Sequence, residues 1–360
     1  MKGPIVKGMP PFGGRYLAQQ WVGAGGMQHV YAAFDQLFER MVALKTPKDD
    51  AGTKRFQQSA VVSAKVNHQN VAKTLDYFED GERPFIIEEL VSGADLDTVM
   101  SGNLPFLPPS TCARIFHQLA KGLAASHAAE VVHRDLKPSN IMVVGGPLFQ
   151  DVKITDFGIA KMAEEEIGQW VEDGGGATSS KTVLGAIPYM SPEAINDFKV
   201  AKKSSDVWAI AAIMYELLSG ELPFGKGLKS IPKIIEAEPP RRPPQIQPAQ
   251  FKSLGTQVYD LILMCLDKDE KNRPSASQLV TLCEDLCYGI TKYSFGEVTE
   301  VGPYTGRIRD DEGAKLMWHP KCFYGSAKVQ VGTRVWFGRD EGEPWDRAFP
   351  IVKASLSPKI

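Results

Sequence analysis

The sequence predicts an α+β architecture of two lobes followed by a small all-β unit, and three observations carry that prediction. From Tyr16 to Leu90 short apolar runs alternate with Gly-bearing and charged turns, interrupted by one helical stretch over Thr53–Val66. From Leu96 onward long helical patterns dominate, and after Tyr293 the texture returns to short alternating strands. In order, these give a tail over 1–14, a small β-rich lobe over 15–91, a larger helical lobe over 92–290 and a small barrel-like β domain over 291–360. A cleft is expected between the two lobes.

Within the helical lobe the clearest helical patterns are Ala113–Ala129, Asp206–Ser219 and Val258–Cys265. The stretch from Glu238 to Pro248 carries Pro239, Pro240, Pro243, Pro244 and Pro248, so it should run as an extended surface connection. In the last unit, Val329–Phe337 reads as a strand among the punctuating residues Gly302, Gly306, Gly325, Gly332 and Gly338, and the unit reads as a separate domain. No internal repeat or low-complexity tract is visible.

Hydrophobic residues at 43%, charged residues at 23% and a net charge of -2 over 360 residues are ordinary globular values. They exclude a whole-protein bias toward nucleic acid or anionic membrane. Met1 to Gly14 lacks the apolar core of a signal peptide and no run of 18 or more apolar residues occurs, so a cytoplasmic protein without membrane attachment is expected. Five cysteines imply no disulfide framework. Cys283 and Cys287, four apart on a predicted helix, read as shared core packing rather than a metal pair.

The chemistry-bearing residues begin with Val22–Tyr31, V-G-A-G-G-M-Q-H-V-Y, where Gly23 and Gly25 would let backbone amides close over nucleotide phosphates. A V-A-L-K run follows at Val42–Lys45, with Lys45 suited to the α- and β-phosphates. The decisive stretch is His133–Asn140, H-R-D-L-K-P-S-N, followed by Asp156–Gly158 after a β-rich spacer. There Asp135 would orient a substrate hydroxyl and accept its proton, and Lys137 would neutralise charge on the moving γ-phosphoryl. Asn140 and Asp156 would hold Mg²⁺, a hard ion suited to oxygen ligands.

On these motifs, Gly23 to about Cys287 resembles the eukaryotic-type protein kinase family, including its bacterial members. The resemblance implies a two-lobed protein kinase fold, ATP and Mg²⁺, protein substrates, and an ion pair between Glu193 and Arg273. It also implies an adenine site lined by Val22, Val30, Ala43 and Glu88 and the backbone of Glu89 to Val91, with Asp95 placed to meet ribose. Lys137, two residues after Asp135, resembles the serine/threonine branch. Lobe chemistry of this kind is generic, so the choice of protein substrate lies in surface complementarity.

Four departures from the family pattern stand out: Gln28 for the third loop glycine, Ser59 where the first helix supplies a glutamate to Lys45, Ala186 for a threonine that touches the base and Lys137, and Glu88 at the gatekeeper position. Gln28 should make the phosphate cover less closely fitting. Ser59 and Ala186 keep open a second class, a pseudokinase or nucleotide-binding signalling scaffold. Lys45 needs a carboxylate in a partly dry cleft, and Glu88 on the neighbouring strand is expected to supply it in place of the helix.

The activation segment from Asp156 to Glu193 carries hydroxyls at Thr178, Ser179, Ser180 and Thr182, and phosphorylation is expected within Thr178–Thr182, with Arg134 as the pairing cation. The tail from about Ser294 to Ala354 looks similar to a cold-shock-type small β-barrel. Glu300, Arg307 and Met317 fall where that family places base-stacking rings, whereas Tyr304, Trp318 and His319 remain available. Protein docking and weak nucleic-acid binding are both open to it.

Overall fold

A computed structural model describes residues 10–24, 28–48, 53–157, 181–197, 200–326 and 328–355. Five strands form the N-terminal sheet: β1 (Tyr16–Ala24), β2 (Gln28–Asp35), β3 (Arg40–Pro47), β4 (Thr74–Asp80) and β5 (Arg83–Glu89), in the order β1-β2-β3-β5-β4. Helix α1 (Thr53–Ser63) follows β3. Strand alternation sorts the side chains of this sheet. Val42, Leu44, Phe85 and Ile87 point to one side, where they bury with Tyr16, Tyr31 and Ala33; Ile86 points to the other, against Phe56 and Ala60 of α1.

The helical lobe contains α2 (Leu96–Asn103), α3 (Pro109–Ala128), α4 (Lys181–Ala186), α5 (Pro192–Asn196), α6 (Lys203–Ser219), α7 (Ile231–Glu236), α8 (Ala249–Cys265) and α9 (Ala276–Glu284). A three-stranded sheet of β6 (Gly93–Asp95), β7 (Ile141–Val144) and β8 (Asp151–Ile154) lies at the cleft side. The helices begin earlier than the apolar periodicity alone predicts, because α3 starts on Pro109 at a position where the missing N–H costs nothing. Helix α6 is apolar nearly all round and buried, and it ends on Gly220 at φ 78°, where a Cβ would meet the Pro105 carbonyl at 2.6 Å. Ser275 and Gln278 close a capping box on α9.

Two sequence expectations in this lobe are corrected. Helix α9 stops at Glu284, so Cys283 is buried but Cys287 lies beyond the helix and is exposed. The proline-rich connection is pinned rather than superficial: Pro240, Pro243 and Ile246 are buried, and Tyr259 and Tyr215 donate hydrogen bonds to the carbonyls of Pro240 and Arg241 at 2.6 and 2.7 Å.

The last unit is a closed five-stranded barrel of β9 (Tyr293–Val301), β10 (Gly306–Asp310), β11 (Lys315–Trp318), β12 (Arg334–Asp340) and β13 (Arg347–Lys353). Its cyclic order is β9-β10-β11-β13-β12, antiparallel except between β11 and β13. Strand β12 starts at Arg334, later than expected, because the turn before it uses Gly332 at φ 88°. Val298, Ile308, Leu316, Trp318, Phe323, Val335, Phe337, Ala348 and Ile351 fill the interior. Trp318 is therefore a core residue and not an available stacking ring, since alternation along β11 turns it inward with Leu316.

The barrel is not a separate unit. Its outward residues Tyr293, Trp336 and Val352, with Tyr324 and Ala354, belong to the hydrophobic core of the helical lobe. Trp336 stacks on Tyr293 with ring centroids 3.9 Å apart, meets Phe149 edge-on, and donates its indole N–H to the Pro147 carbonyl at 2.8 Å. Tyr324 donates to the Leu218 carbonyl at 2.8 Å, and Thr111 and Tyr293 share a hydroxyl bond of 2.5 Å. Among the described residues no helix is long and apolar enough to cross a membrane.

Candidate active site

The His133–Asn140 loop is shaped by one buried carboxylate, Asp206 in the first turn of α6. Its oxygens accept the backbone N–H groups of His133 and Arg134, each at 2.8 Å, and His127 Nε2 lies 2.9 Å away. This holds Arg134 at φ 67°, a left-handed conformation that a free chain avoids. The turn sends Asp135 into the cleft. Lys137 Nζ is 2.8 Å from Asp135 Oδ2, and Asn140 donates through Nδ2 to the Asp135 carbonyl at 2.7 Å and to its carboxylate at 3.2 Å. Asn140 thus has its amide nitrogen committed, which leaves its carbonyl oxygen as the acceptor able to meet a cation.

Lys45 sits opposite Ile86 in the β3–β5 ladder, and Ala43 sits opposite Glu88. Alternation therefore puts Lys45 and Glu88 on the same face as diagonal neighbours, within reach of long side chains. Lys45 Nζ is 2.5 Å from Glu88 Oε2 and 2.7 Å from Asp156 Oδ1. Burial pushes the Lys45 ammonium toward neutrality, but Asp156 and Glu88 reverse this and hold it well above the ordinary lysine range. Burial raises the Glu88 carboxyl despite Lys45, whereas for Asp156 the pull of Lys45 and Gln28 overcomes burial and lowers it. Glu88 thus carries most of the desolvation of the cluster.

Helix α1 offers no carboxylate to this cluster. Ser59 is buried and donates its hydroxyl to the Phe157 carbonyl at 3.0 Å, and one turn later Thr74 donates to Ser63 Oγ at 2.8 Å. The Phe157 ring packs 4.7 Å from that of His133, which connects the helix, the backbone after Asp156 and the catalytic loop. Sequence reasoning missed the Ser59 contact, because its acceptor is a backbone carbonyl that leaves no trace in residue type.

Gln28 also departs from expectation. Its side chain turns into the cleft, buried, and donates to Asp156 Oδ1 at 2.7 Å, so it tightens this edge of the sheet instead of loosening it. Val22 is exposed, Ala43 buried and Val30 partly buried. The Glu89 N–H is bound to the Lys73 carbonyl at 2.9 Å and its carboxylate to Lys153 at 2.7 Å, so the Glu89 carbonyl and the Val91 amide are what this segment can present to a base. Asp95 caps α2, accepting from the Thr98 N–H at 2.9 Å and its hydroxyl at 2.6 Å. Gly25, Gly158, Thr178, Ser179, Ser180 and the Thr182 side chain lie outside the described residues.

Ala186 and Ser191 line a cavity of about 20 Å³ beside Asp135, room for roughly one water. Glu193 accepts two bonds from the buried Arg273 guanidinium at 2.7 and 3.0 Å. Burial alone would raise the Glu193 carboxyl, but Arg273 wins and brings it down to about 2. Arg134 makes no side-chain ion pair among the described residues.

The oxygen donors of Asp156 and Asn140 suit a hard divalent cation, and the cluster of one ammonium between two carboxylates leaves a surplus negative charge at the more open Asp156. The arrangement fits Mg²⁺. Residues 16–282 match the model of the protein kinase domain. The chain is 34% identical over 279 residues to the serine/threonine-protein kinase pkn3 of Myxococcus xanthus, covering 73% of this chain and 48% of that protein. It is 33% identical over 267 residues to PrkC of Bacillus subtilis, covering 72% and 38%. It is 34% identical over 250 residues to PknL of Mycobacterium tuberculosis, covering 67% and 59%. The chain thus spans about half the length of these relatives.

Proposed function

The chain belongs to the protein kinase domain family, and from that membership we propose that it transfers the γ-phosphoryl group of ATP to serine or threonine hydroxyls of protein substrates. The observation that carries this reading is the joint geometry of Asp135, Lys137 and Asn140, all bound to one another around a single carboxylate. Asp135 orients the attacking hydroxyl and takes its proton as the bond to phosphorus forms. Lys137, 2.8 Å from that carboxylate, stands where it can offset charge on the transferring group. Lys45 positions the α- and β-phosphates. Asp156 and Asn140 would hold Mg²⁺, which when bound neutralises phosphate charge.

The scaffold reading drew its strength from Ser59 and Ala186. The Lys45–Glu88 pair removes the first of these reasons, since the lysine has a carboxylate without the helix. A [γ-³²P]ATP autophosphorylation assay on the full chain, with Asp135→Asn as control, is the test. Label in the wild type and its loss in the variant is the expected result; no label with nucleotide still bound would favour the scaffold. Autophosphorylation within Thr178–Thr182 is part of the proposal, with Arg134 supplying the pairing guanidinium. The barrel is proposed as a surface for docking protein partners; exposed Tyr304 is the ring left for weak contact with single-stranded nucleic acid.

A further inference from the structure

The cleft contains two connections that a single ion pair between helix and lysine would otherwise join. Lys45 and Glu88 lie on adjacent strands of one sheet, locked by the ladder that pairs Ala43 with Glu88 and Lys45 with Ile86. Both side chains are nearly inaccessible, at 7% and 8%. Helix α1, by contrast, reaches the site through the neutral Ser59 hydroxyl, and its acceptor is the carbonyl of the residue next to Asp156. No atom of α1 is needed to seat Lys45.

We infer that the two tasks are divided: Glu88 is the positioning residue that seats Lys45 from within the sheet, and Ser59 ties α1 to the backbone that aims Asp156. The inference rests on the phosphoryl-transfer reading and assigns the lysine's support within it. Its physical logic is one of exchange. Asp156 is the more open carboxylate, with a quarter of its side chain accessible, and it holds Lys45 while also facing the cleft. When a divalent cation engages Asp156, Lys45 keeps Glu88, so the ammonium remains paired and charged in a partly dry site. A helix displacement would then disturb metal binding at Asp156 while leaving phosphate binding at Lys45 in place.

The test separates those two effects by equilibrium binding, with no turnover required. Binding of a fluorescent ADP analogue to the full chain is measured in EDTA and then across a Mg²⁺ titration. Glu88→Gln, which keeps shape and removes charge, should weaken metal-free nucleotide binding about 10-fold to 100-fold, the scale of a lost charge-assisted contact. Ser59→Ala should leave metal-free affinity within about twofold and raise the Mg²⁺ midpoint severalfold, since it removes one neutral hydrogen bond from the Phe157 carbonyl. Glu88→Met should behave like Glu88→Gln, and adding Ser59→Glu should recover part of the affinity by restoring a carboxylate from the helix. Thermal melts confirm that each variant is folded. Wild-type metal-free affinity in folded Glu88→Gln, or equal metal-free losses in Glu88→Gln and Ser59→Ala, would overturn the division. If the wild type fails to transfer phosphate while this binding pattern appears, the kinase reading falls and the assignment of Glu88 stands.

Discussion

Two β units flank the same helical lobe, and they are attached to it by different physics. The N-terminal sheet keeps a core of its own around Tyr16, Tyr31, Leu44 and Phe85, and across the cleft it meets the lobe largely through polar contacts such as Lys45 and Gln28 on Asp156 and Lys153 on Glu89. The barrel also has an interior, but it inserts a second set of aromatics into the lobe's own core. Polar contacts at a cleft can be traded for contacts to a ligand at modest cost, whereas a buried aromatic face cannot be opened without exposing apolar area. The difference identifies the sheet as the movable partner and the barrel as part of the lobe's frame.

The strongest attempt to break this comparison is Trp336→Ala. The indole is fully buried, stacks on Tyr293 and donates to Pro147, so its loss should cost about 3–5 kcal/mol of unfolding free energy in a denaturant titration. The change lies far from Asp135, and nucleotide binding by the folded fraction should survive. A variant as stable as the wild type would mean that the barrel is merely tethered.

A smaller effect is expected at Glu193, whose pair with Arg273 lies inside the lobe on neither β unit. Its folded value near 2 lies below the ordinary carboxylate value of 4.5, so the pair contributes stability above about pH 4.5 that fades as pH falls toward 2. Glu193→Gln should therefore melt lower than the wild type at neutral pH, and the gap between them should narrow as pH drops below about 4.5. Melts taken from pH 7 to pH 3 check the sign: a gap that stays constant or widens on acidification contradicts the assignment.

How much of this was legible in the sequence depends on what each contact requires. Asp135, Lys137, Asn140 and Asp156 could be read because phosphoryl transfer constrains both residue type and spacing. The Glu88 pair could be read because strand alternation fixes which side chains share a face. Ser59 and Gln28 were legible as anomalies but not as contacts, since their partners are a backbone carbonyl and an aspartate 128 positions away. The barrel's union with the lobe left a signal that alternation obscured. Val335, Trp336 and Phe337 are three successive apolar residues, and a strand that is apolar on both faces is covered on both faces. Trp318 was misassigned as a free ring because the register of β11, on which its inward turn depends, was not yet fixed.

The finest test of the comparison is Gln28→Ala, at a polar contact between sheet and lobe. The amide nitrogen gives a bond to Asp156, but Gln28 Oε1 is buried and has no partner among the described residues. Truncation removes a favourable bond and an unsatisfied acceptor together, and Asp156 retains Lys45. The two changes offset, so the apo protein should shift by less than about 1 kcal/mol. Ligand binding should respond more clearly, because a cation approaching Asp156 Oδ1 no longer competes with the glutamine. Thermal melts with and without Mg-ADP should show nearly equal apo midpoints and a larger ligand-induced rise in the variant. A large apo loss would show that the sheet is fastened here as firmly as the barrel is at Trp336. An unchanged ligand shift would remove Gln28 from the contacts that nucleotide exchange must displace.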